Sequence, residues 1–425
     1  MNRKNAALKL TAYGILFSLP IVVYFSVVGH EFIIGWDDGW MVLNHYTIGG
    51  LNSFNLAAIF IETNQGQYSP VNQLLYTIIY SIFGADPSAF HLANVLYHAI
   101  NVCLVFAFVK MLLGFREKGD AKTVTVTAFV TALLFAVHPV NTEAVAWISA
   151  SKAPLFTLFG LLGFICYMKY APLSPPHRGK FFLFSGGCFL LSFGCKEQAA
   201  ALPLILPLID RFVGRDLRDK KVWLEKLPFL AFAVLGALYT LSLRNMDYVQ
   251  YYAGYPLWQR LIFACYGLTE YVTKLFIPYN LLYVYPFPMI PGDPLPVRFL
   301  VYPLIHAAMA GFIMYYRKHA VLVFGALFFL VNVSLTLHVV SMSRVTIVAD
   351  RWIYLSSIGF FMVIAWFSVK FFKDLSKLKK GLACFAFAAY FLYLTGYAMK
   401  RSEVWHDNQS LKKEIKELLE KRIDN

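Results

Sequence analysis

Long apolar runs separated by short polar segments constrain the fold of this chain more than any other feature. A helix that crosses a bilayer needs about 20 consecutive, largely uncharged residues. Of the 425 residues, 59% are hydrophobic and only 15% are charged, whereas roughly a quarter of the residues are charged in ordinary soluble domains. A soluble fold cannot bury that much apolar surface, so the sequence predicts an all-α polytopic membrane protein.

Eleven of the runs are predicted to span the membrane. The first follows Arg3, Lys4 and Lys9, and it exceeds the apolar core of about 7–15 residues that a signal peptide has. No small-residue cleavage site follows it, so we expect an uncleaved helix. The predicted spans are 10–29, 89–113, 123–138, 151–170, 181–195, 199–213, 227–243, 297–316, 320–338, 352–372 and 381–399.

The basic residues orient these helices. More than half of the 38 Lys and Arg residues fall in the segments that then face the cytoplasm, as the positive-inside rule requires. The N-terminus is therefore predicted to be cytoplasmic, and eleven crossings place the C-terminus outside. The same rule accounts for the net charge of +14 without a nucleic-acid partner. The six cysteines show no CxxC spacing, so neither a disulfide frame nor a zinc site is indicated.

One transmembrane domain is predicted over residues 1–400, followed by an external amphipathic helix over 401–425. Its first external loop covers 30–69, and external interfacial segments are expected near 70–84 and 244–296. The stretch 260–278 is apolar enough to cross, but its return would contain many prolines, and lipid-exposed irregular backbone is not tolerated. Thirteen spans therefore remain the alternative.

An acidic pair stands out in the first external loop. Asp37 and Asp38 follow the first span by a few residues, and adjacent carboxylates repel, so one of them is expected to have a raised pKa. Such a carboxylate can accept the proton of an attacking hydroxyl. The alternative is that Asp-Asp-Gly is a turn and helix cap.

Further ionisable residues lie at the external ends of later spans. Ionisable groups at membrane depth cost a few kcal/mol each and usually face one another or a cavity. Basic side chains there suit a lipid-linked phosphate, and Arg can bind it bidentately. The alternative is local pairing, Lys196 with Glu197 and Asp350 with Arg351. The candidates are His138, Glu143, Lys152, Lys196, Glu197, Arg344, Asp350 and Arg351.

Two histidines, His91 and His98, lie two turns apart on one face of a predicted helix. Seven residues is not a usual ligand spacing and no acidic group accompanies them, so hydrogen bonds between helices are favoured over a metal site.

Several sequence blocks occur in a fixed order along the chain. They are Trp36-Asp37-Asp38, Tyr68-Ser69-Pro70-Val71-Asn72, Phe83 to Asn94 followed by His98, Phe135 to Ala146, Cys195-Lys196-Glu197-Gln198 and Ala349 to Phe360. In sequence and order these blocks resemble the transmembrane and tetratricopeptide-repeat O-mannosyltransferases, and the resemblance extends to about Trp405. Members of that family continue into tetratricopeptide repeats, whereas this sequence has a single amphipathic helix after that point.

The resemblance implies a GT-C glycosyltransferase fold with its active site at the external face. The implied reaction is inverting transfer of mannose from a polyprenyl-phosphate donor to Ser or Thr hydroxyls of exported proteins. The compact chain, with few basic cytoplasmic segments, fits a bacterial inner membrane with the site facing the periplasm, and an organellar membrane is the alternative. Asp37 or Asp38 is the expected base. No cofactor is required, although a divalent metal stays open. Alternatives are a glycolipid or cell-wall acceptor, and a lipid-sugar transporter.

The same resemblance, with the polar residues above, gives the other site residues their expected roles. Four cations are expected at the donor phosphate, namely Lys152, Lys196, Arg344 and Arg351. Five more residues are expected to shape the cavity, namely His91, His138, Glu143, Glu197 and Asp350.

Overall fold

The computed structural model describes residues 3–117, 119–171, 178–242, 254–340 and 346–423. The candidate phosphate ligand Arg344 lies outside these ranges. The described residues are mainly helical. The α-helices are α1 Arg3–Val23, α2 Asp38–Met41, α3 His45–Ile48, α4 Ser53–Ile61, α5 Pro70–Phe83, α6 Pro87–Gly114, α7 Ala121–Val137, α8 Thr142–Ala146, α9 Lys152–Tyr170, α10 Arg178–Phe193, α11 Leu206–Val213, α12 Lys220–Leu224, α13 Leu227–Ser242, α14 Leu257–Phe276, α15 Val301–Tyr315, α16 Ala320–Val333, α17 Ser357–Lys373, α18 Lys377–Ser402 and α19 Asn408–Ile423.

Each of the eleven predicted spans coincides with helical structure. Within the described ranges, five helical segments are long and apolar enough to cross a membrane, and a bent pair gives a sixth. The chain is therefore an all-α integral membrane protein. The count of eleven crossings and the side on which each terminus lies stay predictions. The five segments are 87–114, 148–170, 220–242, 297–315 and 377–405.

The bent pair consists of α7 and the segment Pro139–Ala146, which meet at 55°. Proline lacks a backbone N–H and its ring clashes with the preceding turn, so α7 cannot continue through Pro139. His138 ends α7 in an extended conformation, and its Nδ1 accepts a hydrogen bond of 3.3 Å from the Val140 amide. This bend directs Glu143 away from the axis of α7.

The predicted span 199–213 is not one α-helix. It begins as a nine-residue 3-10 helix, Glu197–Ile205, and continues as α11. Pro203 lies inside the 3-10 segment, and because it has no N–H it interrupts regular α-helical hydrogen bonding. The Gln198 amide supports the segment by donating to the carbonyls of Asn332 at 2.8 Å and Trp352 at 2.9 Å.

The segments predicted at the membrane surface are also helical. The residues predicted near 70–84 form the fourteen-residue helix α5, and α14 occupies most of the apolar stretch in the 244–296 region. Residues 244–253 lie outside the described ranges. Beyond α14, β1 Tyr285–Pro286 pairs antiparallel with β2 Thr346–Val348, and this pairing places the start of α17 beside α14.

The helix ends form two polar regions. At one end, which we call the basic end, Asp210 pairs with Lys226, and Arg215 lies 2.7 Å from Glu225. At the opposite end, which we call the site end, α7, α10 and α18 finish and α9 and α17 begin. The loop of residues 30–69 also lies there, so the bundle brings the candidate site residues that the structure describes to one end.

Candidate functional site

The acidic pair lies in a short turn that opens α2. Asp37 occupies the N-cap position of this helix and Asp38 is its first residue. The two side chains point to different environments, because consecutive residues at a helix start project about 100° apart. Asp37 and Asp38 consequently differ in burial and in hydrogen bonding.

Asp38 is fully buried, and both of its carboxylate oxygens accept hydrogen bonds. The amide of Ile33 donates to Oδ2 at 2.9 Å and the amide of Ser149 to Oδ1 at 3.0 Å, while the Ser149 hydroxyl also donates to Oδ1. Burial raises the pKa of Asp38 to about 6, although these hydrogen bonds oppose the shift. Asp38 therefore holds the loop of residues 30–69 against the segment that precedes α9.

Asp37 is only half-buried, and its Oδ1 accepts a hydrogen bond of 3.1 Å from the Trp40 indole. Burial raises the pKa of Asp37, while the Trp40 hydrogen bond and the positive charges of Arg351 and Lys152 act to lower it. The two cations belong to segments more than 100 positions further along the chain. Asp37 is thus a partly accessible carboxylate within electrostatic reach of two cations.

Arg351 forms an ion pair with Glu143 rather than with its neighbour Asp350. The backbone amide of Arg351 also donates to Glu143 Oε2 at 2.8 Å. Asp350 instead accepts a hydrogen bond of 2.8 Å from the Tyr285 hydroxyl. The alternative of local Asp350–Arg351 pairing is therefore wrong, because the bend after α7 brings Glu143 to the guanidinium.

Asp350 is buried, and its pKa is raised to about 7 because burial and the nearby Glu143 carboxylate both disfavour its charged form. It supports the segment that carries Arg351.

Lys152 begins α9 beside the acidic loop. Its Nζ lies 2.6 Å from Gln67 Oε1, and it lies within electrostatic reach of Asp37 and Glu197. Lys196 is buried just beyond α10, with its Nζ 5.5 Å from the centre of the Phe156 ring, one turn along α9 from Lys152. The structure thus brings Lys152, Lys196 and Glu197 to the same side of the site.

Trp147 lies between the Arg351 guanidinium and a second indole. Its ring stacks on Trp405 with centroids 4.9 Å apart, and Arg351 Cζ lies 5.2 Å from its centre. After Trp405 the chain returns to the first loop, where Asn408 Oδ1 accepts a hydrogen bond of 2.8 Å from the Gly35 amide. The segment that follows α18 therefore contacts both sides of the site.

His91 and His138 are both buried and pack against aromatic rings. His91 lies against His30, with ring centroids 5.7 Å apart, and the His138 ring packs on Phe361. His98 makes the expected hydrogen bonds between helices, to the Tyr354 hydroxyl at 2.6 Å and the Ala136 carbonyl at 3.1 Å. In the described part of the chain, no group of three or more His, Cys, Asp or Glu residues is placed to hold a metal ion.

A polar pocket beside the acidic pair was not predicted from the sequence. Amide, carboxylate and aromatic side chains line it, and Lys152 stands at its edge. The only sequence signal is the run Asn64-Gln65-Gly66-Gln67, which is typical of a tight turn. The lining residues are Trp40, Met41, Tyr46, Ile59, Glu62, Asn64, Gln67, Ser69, Pro70, Asn72, Gln73, Tyr76 and Lys152.

The fold and the site together define a polytopic membrane protein with carboxylates and cations gathered at one end of its helices. Comparison with known proteins confirms the resemblance given by the sequence blocks. The chain is similar to protein O-mannosyl-transferases, namely TMTC2 of Homo sapiens (34% identity over 157 residues), Tmtc3 of Drosophila melanogaster (29% over 235 residues) and TMTC1 of Mus musculus (32% over 228 residues). No protein-family model matches it.

These similarities are partial. They cover 36% of the present chain for the human protein, 52% for the fly protein and 49% for the mouse protein. The matched region spans 18%, 25% and 23% of those three relatives' own lengths, respectively.

Proposed function

We propose that this protein is an inverting glycosyltransferase that moves mannose from a polyprenyl-phosphate donor to Ser or Thr hydroxyls of exported proteins. The observation that carries the proposal is the half-buried Asp37 carboxylate, which accepts a hydrogen bond from Trp40 and lies within electrostatic reach of Lys152 and Arg351. A base and cations in one chamber are what a displacement at a phosphate-linked carbon requires. The similarity to proteins named O-mannosyl-transferases supports the choice of sugar and acceptor.

In the proposed reaction, Asp37 accepts the hydroxyl proton as the acceptor oxygen bonds to the anomeric carbon. The bond between that carbon and the phosphate oxygen breaks, and its electron pair leaves with the lipid phosphate. One displacement inverts the configuration, so a single base suffices. Asp37 is a better candidate than Asp38, because both oxygens of Asp38 already accept hydrogen bonds from Ile33 and Ser149.

The leaving phosphate would be stabilised by Arg351, Lys152 and Lys196, with Arg344 as a further candidate. Arginine has five N–H donors, so pairing with Glu143 leaves it capacity to bind a phosphate. Glu143 and Glu197 hold these cations in place by their charge, and Asp350, His138 and His91 support the surrounding segments.

The distribution of basic residues supports an external location of this chamber. In a bacterial inner membrane the chamber would face the periplasm.

Purified protein, labelled polyprenyl-phosphate mannose and a panel of Ser/Thr peptides and glycolipids test this proposal. We expect labelled mannose on a peptide hydroxyl, in the configuration opposite to that of the donor. Transfer to a glycolipid alone would replace the protein acceptor by a lipid acceptor. Absence of transfer to every acceptor would contradict the proposal.

A further inference from the structure

Three histidine rings meet where the loop of residues 30–69 contacts the linker between α18 and α19 (residues 403–407). His30 opens the loop, His91 belongs to α6 and His406 to the linker. The centroid of the His30 ring lies 5.7 Å from that of His91 and 5.0 Å from that of His406. His30 and His91 are buried, whereas His406 is partly exposed. We call this group the histidine row, and His30 is its middle member.

Two backbone amides fasten the loop at this contact. The Glu31 amide donates to the His406 carbonyl at 2.8 Å, and the Gly35 amide donates to Oδ1 of Asn408, the first residue of α19, at 2.8 Å. His91 Nε2 lies 3.4 Å from the Glu31 carbonyl oxygen, so α6 reaches the same point. The amides of Glu31 and Gly35 therefore report on whether the loop is attached.

Few charged groups face His30. His91 faces it from α6, and His406 and Asp407 face it from the linker, while its own neighbour Glu31 is exposed to solvent. Asp407 Oδ2 already accepts a hydrogen bond of 3.0 Å from His406 Nδ1. Within the described residues, no carboxylate forms an ion pair with His30. A proton on His30 would consequently place a positive charge between two imidazole rings, beside a carboxylate that is already engaged.

The protonation of His30 and the attachment of the loop oppose each other. Burial and the neighbouring His406 ring lower the pKa of His30 to about 4, while a hydrogen bond to the Trp405 backbone and the charge of Asp407 oppose the shift. A histidine in water has a pKa of about 6.5, and His30 regains that value when the loop leaves the linker. Because the detached form binds the proton more tightly, attachment is strongest above about pH 6.5 and weakens as the pH falls toward about 4.

We propose that the histidine row is a pH-sensitive latch, in which protonation of His30 detaches the loop of residues 30–69 from the linker and loss of the proton reattaches it. The same linker carries Trp405, whose ring stacks on Trp147 beside the Arg351 guanidinium. Detachment would therefore loosen one side of the candidate site. The latch goes beyond the proposed reaction, since it operates whether or not the chain transfers a sugar.

Hydrogen exchange at the amides of Glu31 and Gly35 in the purified full chain tests the latch. Their protection factors are compared at about pH 7.5 and about pH 5, after correction for the intrinsic exchange rate at each pH. Wild type should lose protection about 25-fold at the lower pH, as follows from a pKa of about 4 when attached and about 6.5 when detached. Amides inside α9 should show no such loss.

Substitutions identify the titrating group. His30→Gln keeps a side-chain N–H for the Trp405 backbone but cannot become charged, so its protection at the two pH values should agree within about twofold. His319→Gln removes an exposed histidine at the start of α16 and should retain the loss seen in wild type. Asp407→Asn removes the charge that favours protonated His30, so protection should fall at least as far as in wild type.

Equal protection of the Glu31 and Gly35 amides in wild type at the two pH values would overturn the latch. An undiminished loss in His30→Gln, or a smaller loss in Asp407→Asn than in wild type, would also overturn it. The ratio of protection between the two pH values stays measurable in a variant that melts earlier, so a lower melting temperature leaves each result decisive.

Discussion

Arg351 pairs with Glu143, which lies 208 positions earlier in the chain, and not with the adjacent Asp350. The pair joins the start of α17 to the bent segment after α7. Because Glu143 is buried while Arg351 stays partly exposed, the carboxylate holds the guanidinium and leaves part of it accessible. An anion can still reach that part.

Replacing Arg351 by Ala should affect both stability and activity. The buried Glu143 carboxylate would lose its cation, at a cost of about 1–3 kcal/mol for a partly exposed pair. Loss of a group that stabilises the leaving phosphate should lower kcat about 10²–10³-fold. Thermal melting and initial rates of mannose transfer measure the two effects.

Lys373→Ala is a matched control for Arg351→Ala. Lys373 pairs with Asp120 on the exposed surface of the basic end, and such pairs contribute about 0–1 kcal/mol. We expect a rate within twofold of wild type. If Arg351→Ala also retained a rate within twofold, Arg351 would have no role at the phosphate.

The pH dependence of transfer should report on Asp37. The base acts in its ionised form, so kcat/KM should fall as the pH is lowered through the pKa of Asp37. Burial raises that pKa above the usual value of about 3.9. Lys152 acts to lower it, so Lys152→Met should move the acid limb of the profile to higher pH.

Rates measured between about pH 4 and pH 8 locate that limb. Lys373→Met, which removes a cation at the basic end, should leave the limb unchanged. An unchanged limb in Lys152→Met, or a shift to lower pH, would show that the titrating group is not Asp37.

The stack of Trp405 on Trp147 should stabilise the site from the C-terminal side. Trp405 is fully buried, and truncating such a side chain costs about 3–5 kcal/mol. Trp405→Ala should therefore lower the melting temperature, and Trp405→Phe, which keeps a ring against Trp147, should lower it less. Equal melting of wild type and Trp405→Ala would contradict a supporting role for this contact.

The positions of the helices were predictable because hydropathy is a local property of the sequence. The predicted span 89–113 became α6, and 151–170 became α9. The 3-10 helix Glu197–Ile205 was not predicted, because hydropathy does not register the missing backbone N–H of Pro203. The predicted span 123–138 ends one residue beyond α7, which ends at Val137. Hydropathy did not predict the bent segment that follows Pro139.

The sequence allowed the residues of the candidate site to be named, but not the contacts between them. The resemblance and the charges pointed to Asp37, Lys152 and Arg351, which the fold brings together. Pairing of Arg351 with Glu143 depends on how distant segments pack, and no local pattern encodes that choice. The polar pocket was missed because Asn64 and Gln67 are ordinary loop residues until the turn sets them beside Lys152.

The contrast between Asp37→Asn and Asp38→Asn tests the central claim most directly. In Asp37→Asn the carbonyl oxygen can still accept the Trp40 hydrogen bond, so melting should be unchanged while kcat falls about 10²–10⁴-fold. In Asp38→Asn an NH₂ group faces donors from Ile33 or Ser149, so we expect a loss of stability of about 1–3 kcal/mol.

The deciding measurement is the turnover number of mannose transfer by Asp37→Asn under conditions where it is as folded as wild type. The account predicts a loss of at least about a hundredfold. Turnover equal to that of wild type would contradict it, because no proton acceptor would then be needed at Asp37.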